Sequence, residues 1–574
     1  MITSMTKYSF ILLKGEKDGF LDRLQELGVV DISRSQKPVD DVSGRIVADI
    51  DETRALIKCI AAGSDAHLVE LQADRLTLAR KLDEVSVWGD YDREKLAELG
   101  ARFYRVPKKQ FNPQWEQQYA LQTVAEKDGS VWFVIVGDNA GFPCKELPAP
   151  EKTEAEVRYD LERLDARISS YSSELEKRRA EIPSLEGKVH KLYADLSLYL
   201  AGITGKSAAE DSLLVFEGFA PSEDDDRLKA VFDDMDIYWE AEPARTADNP
   251  PIKLKNNWFV RQFEPLTAMY GMPVYDEFDP TVFLSIFFLL FFSICMGDMG
   301  YGLLLILIGL ALKGKDGGLG KMWSLIVTLG AGTVAVGFVM GGLFGVSLPD
   351  QSWVPEWMKK CMITGDIQFG GNAYSKQMAL SLVIGVVHIC LAMITKAVWA
   401  VKRAGLKNSL GTLGWTLLIV GGVTGITFGA AGILTQTAMK LLLIGIAAIS
   451  ALGIFVFNRW GRNPLLNMGV GLWDTYSMAS GLMSDVLSYV RLYALGLSGS
   501  MLGQTFNLLA DMVKGTDPTW QWVPFVLILI IGHALNLAMS CLGAFVHPLR
   551  LNFVEFFKNS GYEGMGAAYN PLEK

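Results

Sequence analysis

Hydrophobic and polar positions follow two different rules along this chain, and the change falls near residue 270. Before about residue 265, apolar residues recur with helical or strand periods among charged ones. Beyond about residue 278 they run together in long stretches. The first pattern belongs to a water-exposed part. The second belongs to a polytopic membrane part, since about 20 apolar residues in a helix cross the hydrocarbon.

Two helical stretches stand out in the first part. One covers about 48–88, with Leu68, Leu71, Leu78, Leu82 and Val85 on one stripe. The other covers about 152–200, where Val157, Leu161, Leu164, Ile168, Tyr171 and Leu175 alternate threes and fours. The stripe resumes at Ile182, Leu185, Val189, Leu192 and Leu196. This is a heptad pattern with charges on the other faces. It misses one seam position at Arg178/Arg179, and Pro183 interrupts it with the geometry of a kink. An antiparallel pair of long helices is the simplest arrangement. Residues 103–148, with a strand at GSVWFVIVG (129–137), make a small α/β lobe at one end. Residues 1–45 and 213–265, with strand-like pieces such as LLVFEGF (213–219), make a second. The expected fold is therefore α plus α/β and multidomain. It has an N-terminal dumbbell over 1–265 and a linker at 266–280. An all-helical membrane domain follows at 281–550, with a tail at 551–574. The opening MITSMTKYSFILLKG reads as a strand through Tyr8, Phe10, Leu12 and Leu13, not as a secretory leader, which places the dumbbell in the cytoplasm.

The apolar runs fall at about 281–312, 322–346, 377–400, 409–432, 438–457, 474–513 and 521–547. The first is too long for one span and carries GDMGYG (297–302) at its middle, where Asp298 between glycines suits a tight turn. Three basic loops follow: Lys313, Lys315 and Lys321; Lys396, Lys402, Arg403 and Lys407; Arg459 and Arg462. A single first span would put all three outside. A hairpin puts all three in the cytoplasm, as the positive-inside rule prefers. The hairpin gives eight crossings.

Composition removes several function classes. A net charge of −10 without basic tracts argues against nucleic acid. Cys59, Cys144, Cys295, Cys361, Cys390 and Cys541 lack ligand spacing and read as free thiols, mostly buried. GKDGGLGK (314–321) lacks Walker spacing and a Ser/Thr after Lys321, so this chain has no ATP site and needs no cofactor.

Polar residues within the last two runs carry the candidate chemistry. Helical spacing puts Ser477, Ser484, Ser488, Arg491 and Ser498 on one stripe. His533, Asn536, Ser540 and His547 share a face, and Arg550 follows. The serines and Asn536 are either interhelical glue or the wall of a hydrated crevice. His533 is either a packed core histidine or a channel-lining one. His547 and Arg550 read as interface anchors. Arg491 is different. A guanidinium near the midplane costs roughly 2.5 to 17 kcal/mol and does not deprotonate to escape. Either it pairs permanently with a distant acid of this chain, or a partner brings the carboxylate. A carboxylate on a rotor is neutral while crossing lipid and ionised opposite the arginine. With a half-channel on each side, it releases its ion on one side and reloads on the other. One charge across 100 mV is worth about 2.3 kcal/mol, so the scale is adequate.

The motifs LSYVRLYALGLSGSML (487–502), GMPVYDEFDPTVFLSIFFLLFFSICMGDMGYG (271–302), GGLFGVS (341–347) and FVHPLRLNFVEFFKNSGYEGMGAAYNPL (545–572) resemble, in this order, the membrane stator subunit a or I of rotary V-type and A-type ATPases. The resemblance maps the essential arginine to Arg491, the DP pair to Asp279 and Pro280, and the tail positions to Arg550 and Glu555. It marks Gly297, Asp298, Gly300 and Gly302 as motif residues. It implies eight membrane helices, a proteolipid ring carrying a membrane carboxylate, and peripheral stalks on the lobes. It also implies a central stalk, a separate catalytic head, and H+ or Na+ as the transported ion across a prokaryotic cell membrane. Ser484, Ser488, His533, Asn536 and Ser540 are then candidates for the half-channel walls. The chain departs from the family at Ser540, where an acid is common, and at Ser498–Gly499, where Ala-His is common. A secondary transporter with a regulatory domain and a non-conducting scaffold are the rival readings. The hairpin makes one direct prediction: a Lys315→Cys thiol reacts with a membrane-impermeant reagent from the cytoplasmic side only, and labelling from outside would overturn the hairpin.

Overall fold

The computed structural model describes residues 1–34, 39–127, 129–137, 142–208, 212–235, 237–314, 320, 322–363, 365–369, 372–433, 435–457, 464–513 and 522–573. The chain is mostly helical with small sheets. It divides into two compact units. One holds residues 13–28, 32–216 and 572–574; the other holds 1–12, 29–31 and 217–571.

In the first unit, the two long stretches are four helices. These are α1 (Asp41–Ala62), α2 (Ala66–Val85), α3 (Glu154–Arg178) and α4 (Ile182–Thr204). Helix α1 packs along α4, and α2 along α3. Both expected single helices are corrected at the same level. Gly63, at φ 62°, closes α1, and Asp65 opens α2 by accepting the Leu68 amide at 2.8 Å. Opposite, a tight turn at Arg179–Glu181 separates α3 from α4, and Pro183 sits in the first turn of α4, where a missing N–H does no harm. The gap in the heptad marks this double break. The Arg179 guanidinium reaches the Ala61 carbonyl at 3.5 Å, so a polar residue at the missed seam satisfies the end of the neighbouring helix. Tyr171 locks the other side, donating to Asp65 Oδ2 at 2.5 Å.

Between α2 and α3 lies a four-stranded antiparallel sheet of β1 (Arg102–Pro107), β2 (Leu121–Lys127), β3 (Ser130–Ile135) and β4 (Glu146–Leu147), in the order β2-β3-β1-β4. The strand expected at 129–137 is β3, an inner strand. Alternation sends Phe133 with Tyr104 and Val106 to one apolar cluster, and Val134 with Phe103 and Trp88 to another.

In the second unit, the expected N-terminal strand is Met5–Leu13. It pairs antiparallel with Tyr238–Pro243, Tyr8 opposite Ala241 and Phe10 opposite Trp239. Both buried rings meet Phe232 edge-on. The apolar runs form α5 (Thr281–Met296), α6 (Met299–Leu312), α7 (Trp323–Met340), α8 (Lys376–Asn408), α9 (Leu410–Ala430), α10 (Gln436–Ala451), α11 (Pro464–Ser488), α12 (Val490–Val513) and α13 (Trp522–Arg550). Five are long and apolar enough to cross a membrane: α7, α8, α9, α10 with its continuation to Val456, and α13 with its continuation to Ser560. Helices α5 and α6 are shorter apolar helices, about 24 and 21 Å long at about 1.5 Å per residue. The run 281–312 is thus broken at Gly297–Asp298.

The run at 474–513, too long for one perpendicular helix and read as either strongly tilted or preceded by a partial segment at 465–482, begins at Pro464 and is two helices divided at Tyr489. Helical spacing does not carry across that break, so the serine stripe is not continuous. Ser477, Ser484 and Ser498 are exposed while Ser488 and Arg491 are half-buried. Lys315, Lys321, Arg459 and Arg462 lie outside the described residues. Of the cysteines, Cys295 is buried, four are half-buried and Cys361 is exposed, which corrects the expectation that most are buried. After Ser560 the chain turns back. The Tyr562 hydroxyl donates to the Gly271 carbonyl at 2.7 Å, and the Gly566 amide to the Met272 carbonyl at 2.9 Å.

Asp65 offers a test of the break between α1 and α2. The Tyr171 hydroxyl, then the Leu68 amide, hold its carboxyl below the usual range. A depressed native value means the stabilisation is complete above the ordinary carboxylate pKa of about 3.9 and is lost as pH falls through the lower native one. Asp65→Ala removes an N-cap worth about 1 kcal/mol. Amide exchange over residues 66–70 of the intact chain should therefore speed up roughly fivefold at pH 7. The difference from the parent should persist to about pH 4 and close below it. Equal exchange in both proteins at pH 7 would contradict the assignment.

Candidate functional site

The turn between α5 and α6 is built on two residues. Gly297 takes the left-handed conformation, φ 56°, that ends α5. Asp298, 2% exposed, caps α6 and does more. Its Oδ1 accepts the amides of Gly300 (2.8 Å), Tyr301 (3.2 Å) and Phe344 (2.9 Å), and its Oδ2 accepts that of Gly345 (2.8 Å). One carboxylate thus ties the turn to the glycine-rich segment after α7. The glycines let backbones approach. A Cβ on Gly345 would lie 2.5 Å from Gly503 of α12, and one on Gly300 2.6 Å from the Phe344 ring. A Cβ on Gly302 would lie 2.7 Å from the Val334 nitrogen, so α6 and α7 pack at small residues. At the start of α5, Pro280 is the cap position and Asp279 accepts the Thr281 amide at 3.0 Å. The motif residues Asp279, Pro280, Gly297, Asp298, Gly300 and Gly302 are all turn, cap or packing positions.

A hydrogen-bonded chain runs from this hub across α13. The Ser540 hydroxyl donates to Asn536 Oδ1 (3.2 Å), and Asn536 Nδ2 donates to the Tyr301 hydroxyl (2.8 Å) and the Gly499 carbonyl (2.9 Å). Tyr301 and His533 Nδ1 are 2.8 Å apart, His533 Nε2 and Asn507 Oδ1 3.0 Å. Asn507 Nδ2 donates to the Phe344 carbonyl at 2.9 Å. The directions agree in one arrangement: Tyr301 gives its proton to Nδ1, and Nε2–H gives to Asn507, which requires a neutral imidazole. Every polar side-chain atom named here has a partner, so His533, Asn536 and Ser540 brace α6, α12 and α13. Sequence reasoning missed Tyr301 and Asn507, each a lone polar group in an apolar run. The two departures from the family pattern also meet: a Cβ on Gly499 would lie 3.0 Å from Ser540 Oγ.

Arg491 stands apart from this network. It is the second residue of α12, beyond the break at Tyr489. Its Nη1 is buried and has no hydrogen-bond partner among the described residues. Two acids of this chain, Asp298 and Asp485, are engaged elsewhere. Asp298 holds its four amides, and Asp485 accepts Asn559 Nδ2 at 2.8 Å and lies 4.0 Å from Lys558 Nζ. Arg491 lies within electrostatic reach of the buried Cys295 and of His547, and His547 also feels Arg550. The neighbourhood gathers positive charge. Arg550 itself is exposed.

Polar side chains occur before this arginine at the end of α11 and after it along α12. Toward α11, half-buried Ser488 lies against Glu555, whose carboxylate is 2% exposed with Oε2 unpartnered, and Asp485 and Asn559 are adjacent. Ser484 is exposed. Along α12, Tyr493, Ser500 and Gln504 line a cavity of about 320 Å3 with Gln377 and Ser381 of α8 and Asp366. Gln377 and Gln504 were not anticipated; a glutamine inside an apolar run is the signal that marks them.

Asp298 gives a prediction independent of any ion. Asn in its place keeps the shape but turns an amide N–H2 toward backbone N–H groups. With at least one buried donor left unmade at about 1–3 kcal/mol, Asp298→Asn should lower the thermal midpoint of the detergent-solubilised protein. Asp298→Ala should lower it further. An unchanged midpoint in both would show that the hub is not holding the turn.

Comparison with known proteins agrees with this architecture. Residues 151–327 match the profile of the V-type ATPase 116kDa subunit family. The chain is 29% identical, over 76% of its length and 65% of the relative's, to a protein of Methanocaldococcus jannaschii named A-type ATP synthase subunit I. It is 23% identical, over the full length of both, to V-type ATP synthase subunit I of Borreliella burgdorferi. It is 32% identical, over 58% of its length and 49% of the relative's, to A-type ATP synthase subunit I of Pyrococcus horikoshii. The chain thus spans just under two thirds of the first of these relatives and about half of the third. Relatives of one name thus occur in archaea and bacteria, and the chain is similar over residues 151–327 to the V-type ATPase 116kDa subunit family.

Proposed function

We propose that this chain is the membrane stator of a rotary V/A-type ATPase, and that Arg491 couples rotation of a proteolipid ring to the movement of H+ or Na+. The observation that carries the reading is the buried Nη1 of Arg491, unpartnered among the described residues while Asp298 and Asp485 are committed elsewhere. A guanidinium in low dielectric attracts a carboxylate, and a ring of subunits supplies one at each step. Opposite Arg491 that carboxylate is ionised, because the adjacent positive charge favours the charged form. Moving off Arg491 into lipid, it must first take up an ion.

The two polar regions serve as the approaches. In this reading the cavity lined by Ser500, Gln504 and Gln377 is one approach to Arg491, and the Ser488–Glu555–Asp485 group is the other. An ion passing between them would then meet Arg491, whose charge repels a cation. Met483 and Leu487 of α11 and Met501 and Leu508 of α12 are exposed, an apolar face for the ring to slide on. Eight crossings, counting α5 and α6 as the legs of a hairpin, put residues 1–265 and the tail in the cytoplasm. There a dumbbell of two lobes on long helices takes peripheral stalks. The head that handles ATP, and the central stalk, are other chains.

Arg491→Ala in the complete complex, reconstituted into vesicles, should abolish ATP-driven ion pumping while the variant chain still co-purifies with the ring. Near-normal pumping would refute the mechanism.

A further inference from the structure

Helix α12 carries Arg491 at its second position, so the break at Tyr489 decides where the guanidinium points. A helix advances about 1.5 Å and turns about 100° per residue. A slip of one residue at the break would therefore swing Arg491 away from its position. Something must hold Tyr489.

What holds it lies on α8. Tyr489 is fully buried, and its ring lies flat on the backbone at Gly385: a Cβ there would meet Tyr489 Cγ at 2.4 Å. One turn further, His388 Nδ1 is 2.9 Å from the Tyr489 hydroxyl. The imidazole is itself wedged between Phe287, with ring centroids 4.1 Å apart, and Phe556, at 4.6 Å and 10°. Gly385 and His388 thus form a seat: a flat floor for the ring and a polar stop at its end.

Packing alone does not account for a histidine here. Its Nε2 is buried with no partner among the described residues, a loss that phenylalanine in the same aromatic slot would avoid. The bond to Tyr489 is what the histidine provides. We infer that the Gly385–His388 seat is a positioning device for the coupling arginine, fixing the height and rotation of α12 through Tyr489. The inference rests on the stator reading of Arg491. Each departing ring carboxylate pulls on that arginine, and α12 resists only as far as its start is keyed.

The test uses the complete complex in vesicles and reads ions moved per ATP hydrolysed, with thermal midpoint and assembly measured alongside. His388→Phe keeps the ring stack and loses the bond, and Tyr489→Phe loses it from the other side. Each should lower the ratio roughly fivefold, the factor a net hydrogen bond carries, and the double variant should be no worse than either single one. Gly385→Ala, which displaces the ring without touching either polar atom, should give the same loss. A parental ratio in the two single variants, multiplying losses in the double one, or a lower midpoint with an unchanged ratio would each overturn the seat. Arg491→Ala runs beside them. If it pumps, the stator reading itself falls. If it is inactive while His388→Phe and Tyr489→Phe couple normally, only the seat is lost.

Discussion

A guanidinium half-buried among apolar helices, with its Nη1 unpartnered among the described residues, is the constraint around which the second unit is organised. Such a group destabilises the chain that carries it. It persists only where the surrounding structure is stable enough to tolerate it and where acids that would neutralise it are held elsewhere. Two of the acids are held by named bonds, while Glu555 keeps an Oε2 without a partner among the described residues. Asp298 is occupied by four amides, and Asp485 by Asn559 and Lys558. Cys295 and His547 lie within its electrostatic reach, and neither supplies negative charge.

The polar groups of the membrane helices therefore divide into two kinds. Ser540, Asn536, Tyr301, His533 and Asn507 are consumed by one another in a single directed chain, which stiffens the contact of α12 with α13 and with the Asp298 turn. A second set leaves capacity unused: Arg491 Nη1, Glu555 Oε2 and His547 Nδ1 are buried and unbonded among the described residues. The saturated groups brace the helices, and the unsaturated ones are the groups the proposed coupling role would use. The division is sharper than any hydropathy profile, because both kinds look alike as single letters.

Arg491 was legible because an arginine among leucines has no cheap explanation, and the α5–α6 break because basic loops and a glycine-flanked aspartate agreed on it. The double break of the long helices was half legible. The missed seam at Arg178/Arg179 and Pro183 pointed to one side of it, while Gly63 and Asp65 lay inside a stretch whose apolar stripe hid them. The break at Tyr489 was not legible at all. No glycine or proline marks it, and the seat that favours it comes from Gly385 and His388, about a hundred residues earlier in the chain. The same holds for the cavity, whose walls come from α8, α12 and the segment after α7. Local pattern reports what a residue can do alone, and these features arise from pairs brought together by packing.

The returning tail carries a mechanical consequence. A Cβ on Gly271 would stand 2.0 Å from the Gly564 carbonyl oxygen, and one on Gly566 would stand 1.9 Å from that of Pro273. The two strands of chain cross with bare backbone against bare backbone, and Tyr562, Tyr569 and Asn570 fasten the tail to residues 271, 252 and 31. Contacts of this kind have almost no compliance, because no side chain is present to swing or change rotamer. The tail after Ser560 is therefore held to residues 271, 252 and 31 by contacts that leave little room for bending.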